Sequence, residues 1–558
     1  MTGHDGADSV SAVAVPALDR HHSQRDAEQG VAPSPDVPRP STLRVVTLAG
    51  VMLLTYFLGT VSNQAVTLAI PVMARDYGTS ELEVQWVVSA YGVAYGCGLL
   101  FCGRVADLYG RKFCYLGGLV VFLVFNILSA VVKPQVGLFV MRAFAGLGLA
   151  LACPAGFGLI GETITHEPER SIVFAAFGLG GPIGASSGTI LGGGVAGIKQ
   201  YRGWSYLFYI LAALTLIPLI VGWFAFPGAL FHSGGSVAPR LDWLGGFLVT
   251  AAISLFMFSM VQSGIVSTGW RTPYVPALLV VSIILFVLFL CWERYLERRN
   301  GSIPPAAKFS LFTRNRYRFT FVLLASFFAF MGAAGWVYCV TIFYQNVKGD
   351  SALMNAVHLL PCNLLGIVAG FIVMYLSTRV RAPILIMGST IITGVSSVIY
   401  AVASPDVSYW ATGFVAQLLL PWGIDFTMCI GNVLAANLVR EDERSVGGAV
   451  FQTSYTIGGS LGTALSSLVI SERTNVTGSI LSGTRSAFWM NAAATWFVSV
   501  IVLIGLRRLG IAKDAGREEH KVVDSPDVVH PSVDGKGEPE SAPSEEAQNA
   551  SGGRQNTL

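Results

Sequence analysis

The chain has 558 residues, of which 53% are hydrophobic and only 12% charged. Soluble domains carry about 25% charged residues, so this composition excludes an ordinary water-soluble enzyme or binding module and points to the bilayer. The net charge of +3 is too small to suggest a nucleic-acid partner.

Residues 1–43 are rich in Pro, Ser, Gly and Asp and are expected to be disordered. They lack a basic segment followed by an apolar core, so the first apolar run reads as a retained signal-anchor rather than a cleaved leader. A membrane-spanning helix needs roughly 20 apolar residues. Fourteen runs qualify, near 45–71, 86–106, 113–132, 136–159, 171–195, 204–225, 243–263, 274–292, 318–342, 353–376, 383–403, 408–432, 446–470 and 486–506. The composition of residues 509–558 returns to that of the first tail. The eight cysteines fall in or beside the apolar runs with no Cys-x-x-Cys pair, and read as reduced structural thiols. No metal site or cofactor is expected.

An even number of spans puts both tails on one side. Loops on that side hold sixteen Arg and Lys against eight on the other, which makes the tails cytoplasmic by the positive-inside rule. Trp292 to Arg318 is the longest and most basic of these inner loops. Asn475-Val476-Thr477 is a glycosylation sequon expected in the last outer loop.

The chain also repeats itself. Laid without gaps on Glu443–Leu465, the segment Glu169–Leu191 matches at eleven of 23 positions, including Glu169/Glu443, Arg170/Arg444, Gly184/Gly458 and Gly188/Gly462. Spans 4 and 5 thereby map onto spans 12 and 13, a shift of eight. The expected fold is an all-α polytopic membrane protein: an N-terminal six-helix half (44–225), two inserted helices with a basic loop (226–317) and a C-terminal six-helix half (318–508). Two-fold pseudosymmetric folds of this kind place a substrate between their repeats.

Charged and glycine-rich motifs mark candidate sites. Gly103-Arg104-Val105-Ala106-Asp107-Leu108-Tyr109-Gly110-Arg111-Lys112 joins spans 2 and 3. Glycines let helix ends approach, a carboxylate suits the positive end of a neighbouring helix, and the Arg-Lys pair would anchor the turn at the headgroups. Together they suit a latch between two states; the alternative is an ordinary basic loop. Arg142 lies inside span 4, where a charge faces a cavity or partner unless it snorkels to the surface. Asp425 is the clearest acid inside a span and a candidate proton carrier, or else a polar helix contact. His358 in span 10 can also titrate, although a packing role is commoner. Glu162 reads as a solvated end charge. Span 5 carries Gly181, Pro182, Gly184, Gly188, Thr189, Gly192 and Gly193, a helix able to bend and pack closely. Asn63, Gln64, Trp336, Tyr338, Tyr344 and Trp422 are candidate cavity residues.

The span 2–3 stretch resembles the signature of the major facilitator superfamily, with Gly103, Asp107, Gly110, Arg111 and Lys112 in register and Leu108 where a basic residue is usual. The resemblance implicates Arg142, with its glycine spacing in span 4, in proton coupling. Span 5 is similar to the antiporter motif of drug:proton antiporters, with Thr189 in place of a proline. Fourteen spans with these motifs resemble the drug:proton antiporter-2 branch. Pro182-Ile183-Gly184-Ala185 and Asn63-Gln64 resemble fungal aminotriazole-resistance and boron-efflux transporters, although many branch members carry an acid near Asn63.

The resulting expectation is a proton-coupled efflux transporter (antiporter) that exports a secondary metabolite or toxic compound by alternating access. It would be a monomer in the plasma membrane or a vacuolar membrane, with a small molecule, protons and lipid as its only partners. An uptake symporter of the same fold is the alternative. A polytopic membrane enzyme or a non-transporting sensor is the alternative of another class. Of eight His only His358 lies clearly within a span, and there is no Walker pattern, which speaks against metal-dependent or ATP-driven chemistry.

Overall fold

Apolar runs of this length can satisfy their backbone in a bilayer only as helices, and helices are what the computed structural model contains. It describes residues 41–512 apart from 80, 165, 167–168, 197, 199–200, 227–240, 267, 300–309, 314, 351, 441–442 and 508. The two tails and the centre of the basic inner loop lie outside the described residues.

Fourteen long helices follow one another among the described residues: α1 (Thr42–Tyr77), α2 (Trp86–Tyr109), α3 (Arg111–Val131), α4 (Gln135–Thr163), α5 (Glu169–Ala196), α6 (Ser205–Ala225) and α7 (Trp243–Ile265). Then come α8 (Tyr274–Arg299), α9 (Arg318–Ile342), α10 (Ala352–Leu376), α11 (Ala382–Val402), α12 (Gly413–Asn437), α13 (Arg444–Thr477) and α14 (Ile480–Gly505). Thirteen are long and apolar enough to cross a membrane. The exception is α13, whose buried face mixes Ser445, Gln452, Thr453, Ser466 and several glycines with apolar residues.

Helix packing repeats with the shift of eight seen in the sequence. In the first half α1 packs on α5 and α6, α2 on α4, and α3 on α4 and α6. The equivalent pairs in the second half are α9 with α13 and α14, α10 with α12, and α11 with α12 and α14. The halves meet along two related seams, α2 with α13 and α5 with α10. The inserted helices α7 and α8 pair with each other, and α7 lies on α2 and α13 beside one seam.

Matched glycines explain the repeat. A side chain at Gly184 would overlap Thr60 Oγ1 on α1, and one at Gly188 would come within 2.8 Å of Gln64 Cβ. Their counterparts Gly458 and Gly462 lie against the carbonyls of Phe327 and Met331 on α9. These positions admit no side chain because backbone meets backbone. Gly184→Leu or Gly458→Leu should therefore cost at least about 1–3 kcal/mol of overpacking and lower the melting temperature of the purified protein. Gly193→Ala, where nothing lies within 4 Å, should leave it unchanged.

Several boundaries differ from the sequence expectation. Helix α13 runs on to Thr477 and α14 starts at Ile480, so the Asn475 sequon sits exposed on the last turn of a helix and not in a loop. The hydropathy pattern ends near residue 470, but the backbone hydrogen bonds continue through the polar segment until Gly478 closes the helix at φ 69°. Span 12 begins later than expected, at Gly413, because Pro405 to Thr412 form turns.

Candidate functional site: two cavities and a latch

Polar side chains on α1 recur at Tyr56, Thr60 and Asn63, a helical stripe on an otherwise apolar span. They face two cavities in the middle of the molecule. The first, about 200 Å³, lies between α1, α5, α9, α10 and α12, and its lining includes Gly181, Pro182, Cys362, Asn363 and Asp425. The second, about 230 Å³, lies between α1, α2, α4, α7 and α13, and its lining includes Asn63, Tyr91, Tyr95, Cys153 and Met257. Tyr56 and Thr60 line both. Between them the phenols of Tyr56 and Tyr455 meet at 3.1 Å, joining α1 to α13 across the halves. Tyr95 donates to Gln452 Oε1 at 2.5 Å, a second bond between the halves, across the α2–α13 seam.

Asp425 makes no hydrogen bond or ion pair among the described residues, and the wall around it supplies Pro182, Gly366 and Pro421. An acid left without a partner inside a membrane protein is costly, which makes Asp425 a candidate functional residue. Arg142 is fully buried, so it does not snorkel. Its Nε donates to the Val87 carbonyl at 3.1 Å and Nη1 to Ser62 Oγ at 2.8 Å, and the guanidinium lies 4.4 Å from the Tyr91 ring centre. Arg142 thus backs the wall of the second cavity while Asp425 lines the first. The structure gives no contact between them.

The other candidate residues divide. Asn63 lines the second cavity, whereas Gln64 packs under Gly188. Trp336 is fully buried edge-on to Tyr400 and lines neither cavity. Tyr338 donates to Ser467 Oγ at 3.3 Å, Tyr344 is bonded to Tyr400 at 3.1 Å, and Trp422 donates to the Leu418 carbonyl; none of the three lines either cavity. Aromatic content alone cannot separate such packing positions from cavity positions. Thr189 accepts a 3.3 Å hydrogen bond from Asn363 on α10, so a hydroxyl takes part in the α5–α10 seam. Gly192 faces the Ala65 carbonyl on α1, and Gly193 touches nothing.

His358 sits one turn above the first cavity. Its ring stacks on Tyr409 at 4.3 Å, and Nδ1 lies 3.5 Å from Asp350. Burial pushes the Tyr409 phenol up to about 12, so it stays protonated and donates to the His358 carbonyl at 2.9 Å. His358→Ala should lower stability through lost ring packing while leaving the pH profile of transport in place. A flattened profile would make this histidine part of proton transfer.

On the tail side of both cavities, Phe157 packs on Phe174 at 4.8 Å and on Phe177 at 5.5 Å, all fully buried. Beyond this plug lies the latch. Gly103 lets α2 approach α13, with Ala449 and the Ser445 carbonyl as neighbours. Gly110 holds the turn at φ 115°, a conformation open to glycine. Arg111 is buried, not at the headgroups as expected. It pairs with Asp107 at 2.9 Å and Glu162 at 2.7 Å, as a guanidinium taken out of water needs anionic partners. Glu162, 51% exposed, is thus a solvated end charge as expected, and it also pairs with Arg111. Lys112 donates to the Phe226 carbonyl at the end of α6, so it fastens the first half internally.

The repeated arginines complete the closure. Arg444 at the start of α13 donates to the Gly161 carbonyl near the end of α4 at 2.5 Å. Its repeat partner Arg170, at the start of α5, donates to Asn437 Oδ1 at the end of α12 at 2.9 Å. Each half thus reaches across to the other at equivalent places.

Comparisons with known proteins agree with this architecture. The family model described as Major Facilitator Superfamily matches residues 52–237 and 240–463. The efflux pump terJ of Aspergillus terreus is 26% identical, over 87% of this chain and 94% of its own. The puromycin resistance protein pur8 of Streptomyces alboniger is 30% identical, over 78% of this chain and 83% of its own. The crystal structure of the human organic anion transporter MFSD10 (TETRAN) superposes with a TM-score of 0.56 at 12% identity, over 83% of this chain and all of that one. With its repeated helix packing, central cavities and matched family model, this multi-pass membrane protein belongs to the major facilitator superfamily and is a transporter of small molecules, not an enzyme.

Proposed function

We propose that this protein is a proton-coupled exporter working by alternating access, with both tails cytoplasmic, as a monomer of the plasma membrane. The observation that carries the reading is Asp425, an acid on the wall of a central cavity with no partner among the described residues. Such a group can hold a proton in one half of the cycle and release it in the other. Arg142, behind Tyr91, tunes the neighbouring cavity without an ion pair to Asp425. The tail-side latch and plug represent the state closed to the cytoplasm. Relatives named for efflux and for puromycin resistance support outward transport.

The test compares small molecules inside and outside cells that carry or lack the protein. Deletion should trap at least one compound inside, and a protonophore should reproduce the trapping in unmodified cells. A compound that instead becomes depleted inside on deletion would identify an uptake symporter. Trapping that ignores the protonophore would remove proton coupling.

A further inference from the structure

A third cavity, about 280 Å³, lies off the centre between the inserted helices and the seam. Its walls are Ala252 and Phe256 on α7, Ser282, Ile283 and Phe286 on α8, and Ile457 on α13. Ile283 is 54% and Phe286 44% exposed, so the mouth opens through apolar side chains on a helix that faces lipid. The single hydroxyl in the lining, Ser282 Oγ, already donates to the Leu279 carbonyl. Nothing in this cavity asks for a polar ligand.

Its position gives it meaning. On α7, Phe256 lines this cavity and the next residue, Met257, lines the second central cavity. On α13, Ile457 lines this cavity and the preceding residue, Thr456, lines the central one. One layer of side chains therefore separates the two spaces. That layer is thin because α2 presents Gly96 there: a Cβ on Gly96 would lie 3.1 Å from Thr456 and 3.6 Å from the Met257 methyl. Methionine, unbranched and free about three bonds, is the core side chain best able to swing aside.

We infer that this cavity is the membrane entrance to the transport site, admitting the alkyl part of a cationic, membrane-dissolved amphiphile past Met257. The alkyl chain matches the apolar walls. The cationic head matches the central cavities, where the rings of Tyr56, Tyr95 and Tyr455 line one space and Asp425 the adjoining one, the Tyr91 ring being already engaged by Arg142. No Lys or Arg is among the residues lining either central cavity. The two inserted helices then have a task in the fold: they form the outer wall of a lateral port at the α2–α13 seam. The inference rests on the reading of the two central cavities as the transport site.

The test is photolabelling of the full-length protein in phosphatidylcholine vesicles with a dodecyl trimethylammonium probe bearing a chain-end diazirine. Labelled peptides are mapped by mass spectrometry. Label is expected both on α7–α8 and on central-cavity peptides containing Tyr91 or Cys153. Ile283→Trp, which places a large ring at the exposed mouth, should reduce the central label at least tenfold. Ile283→Ala should raise it, which keeps the test decisive if the larger variant folds poorly. Label confined to α7–α8, as for an ordinary bilayer lipid chain, would overturn the port. So would central label indifferent to residue 283. Labelling reads binding without transport: failure of the cell assay would sink the export reading and leave this result standing, and the converse also holds.

Discussion

Replacing Arg170 and Arg444 together with alanine is expected to open the tail side of the protein. Each guanidinium ties the start of one repeated helix to the end of a helix in the opposite half, Arg170 to Asn437 and Arg444 to the Gly161 carbonyl. Hydrogen bonds from charged groups contribute about 1.5–3 kcal/mol each. An alternating-access transporter needs its two states to lie within a few kcal/mol of each other. Losing two such bonds from one state alone should therefore shift the population by roughly a hundredfold or more. Native cysteines report the change, because Cys153 lines one central cavity and Cys362 the other. A membrane-impermeant maleimide applied from the tail side should label both at least ten times faster in the double variant. Labelling no faster than in the parent would show that the arginines brace their own helices without governing closure. Each single variant should give an intermediate effect, since the two sites are equivalent by pseudosymmetry.

Asp425→Asn is expected to abolish transport driven by a pH gradient while sparing exchange of substrate for substrate. The substitution keeps the shape of the side chain and its capacity to accept hydrogen bonds, and removes only the proton that it can exchange. The amide is isosteric with the carboxyl, and neither carboxylate oxygen is engaged by a hydrogen bond or ion pair among the described residues, so no partner is lost. In reconstituted vesicles carrying a compound identified by the cell comparison, gradient-driven accumulation should fall to the level of empty vesicles. Counterflow exchange should stay within a few-fold of the parent. Preserved gradient-driven accumulation would take Asp425 out of the coupling step. Loss of both activities would make it a substrate ligand first. His358→Ala provides the contrast, since that ring stacks on Tyr409 outside the first cavity.

The fold was unusually legible because two strong physical signals coincide. A bilayer forces long apolar helices, and backbone-to-backbone packing of α1 on α5 and of α9 on α13 demands glycine at matched places. Glycine pairs such as Gly184/Gly458 are therefore visible as identities between the halves. The same is true of Arg170/Arg444, whose shared task became apparent only once both partners were located. The weakest reading was of boundaries: hydropathy could not show that α13 continues as a helix through polar residues to Thr477.

The candidate site was only partly legible. Asp425, Asn63, Gly181 and Pro182 stood out by type or motif, and the structure places all four on the central cavities. Tyr56, Thr60, Tyr91, Tyr95, Asn363 and Tyr455 were missed, although the spacing of Tyr56, Thr60 and Asn63 along one face of α1 was a usable signal. Trp336, Tyr344 and Trp422, candidates by their aromatic rings alone, pack against neighbouring rings instead.

By itself the sequence determined that this chain crosses a membrane many times, that its halves repeat with a shift of eight, and that an acid lies within the bilayer. Those properties follow from local composition and from residues compared along the chain. Only the tertiary structure decided that Asp425 and Arg142 attend different cavities, that the buried Arg111 pairs with both Asp107 and the half-exposed Glu162, and that Phe256 and Met257, adjacent on α7, line different cavities. The reason is geometric. Which face of an apolar helix meets lipid, a neighbour or an open space depends on its rotation against helices distant in sequence. In a span that is apolar all round, hydropathy contains almost no record of that rotation.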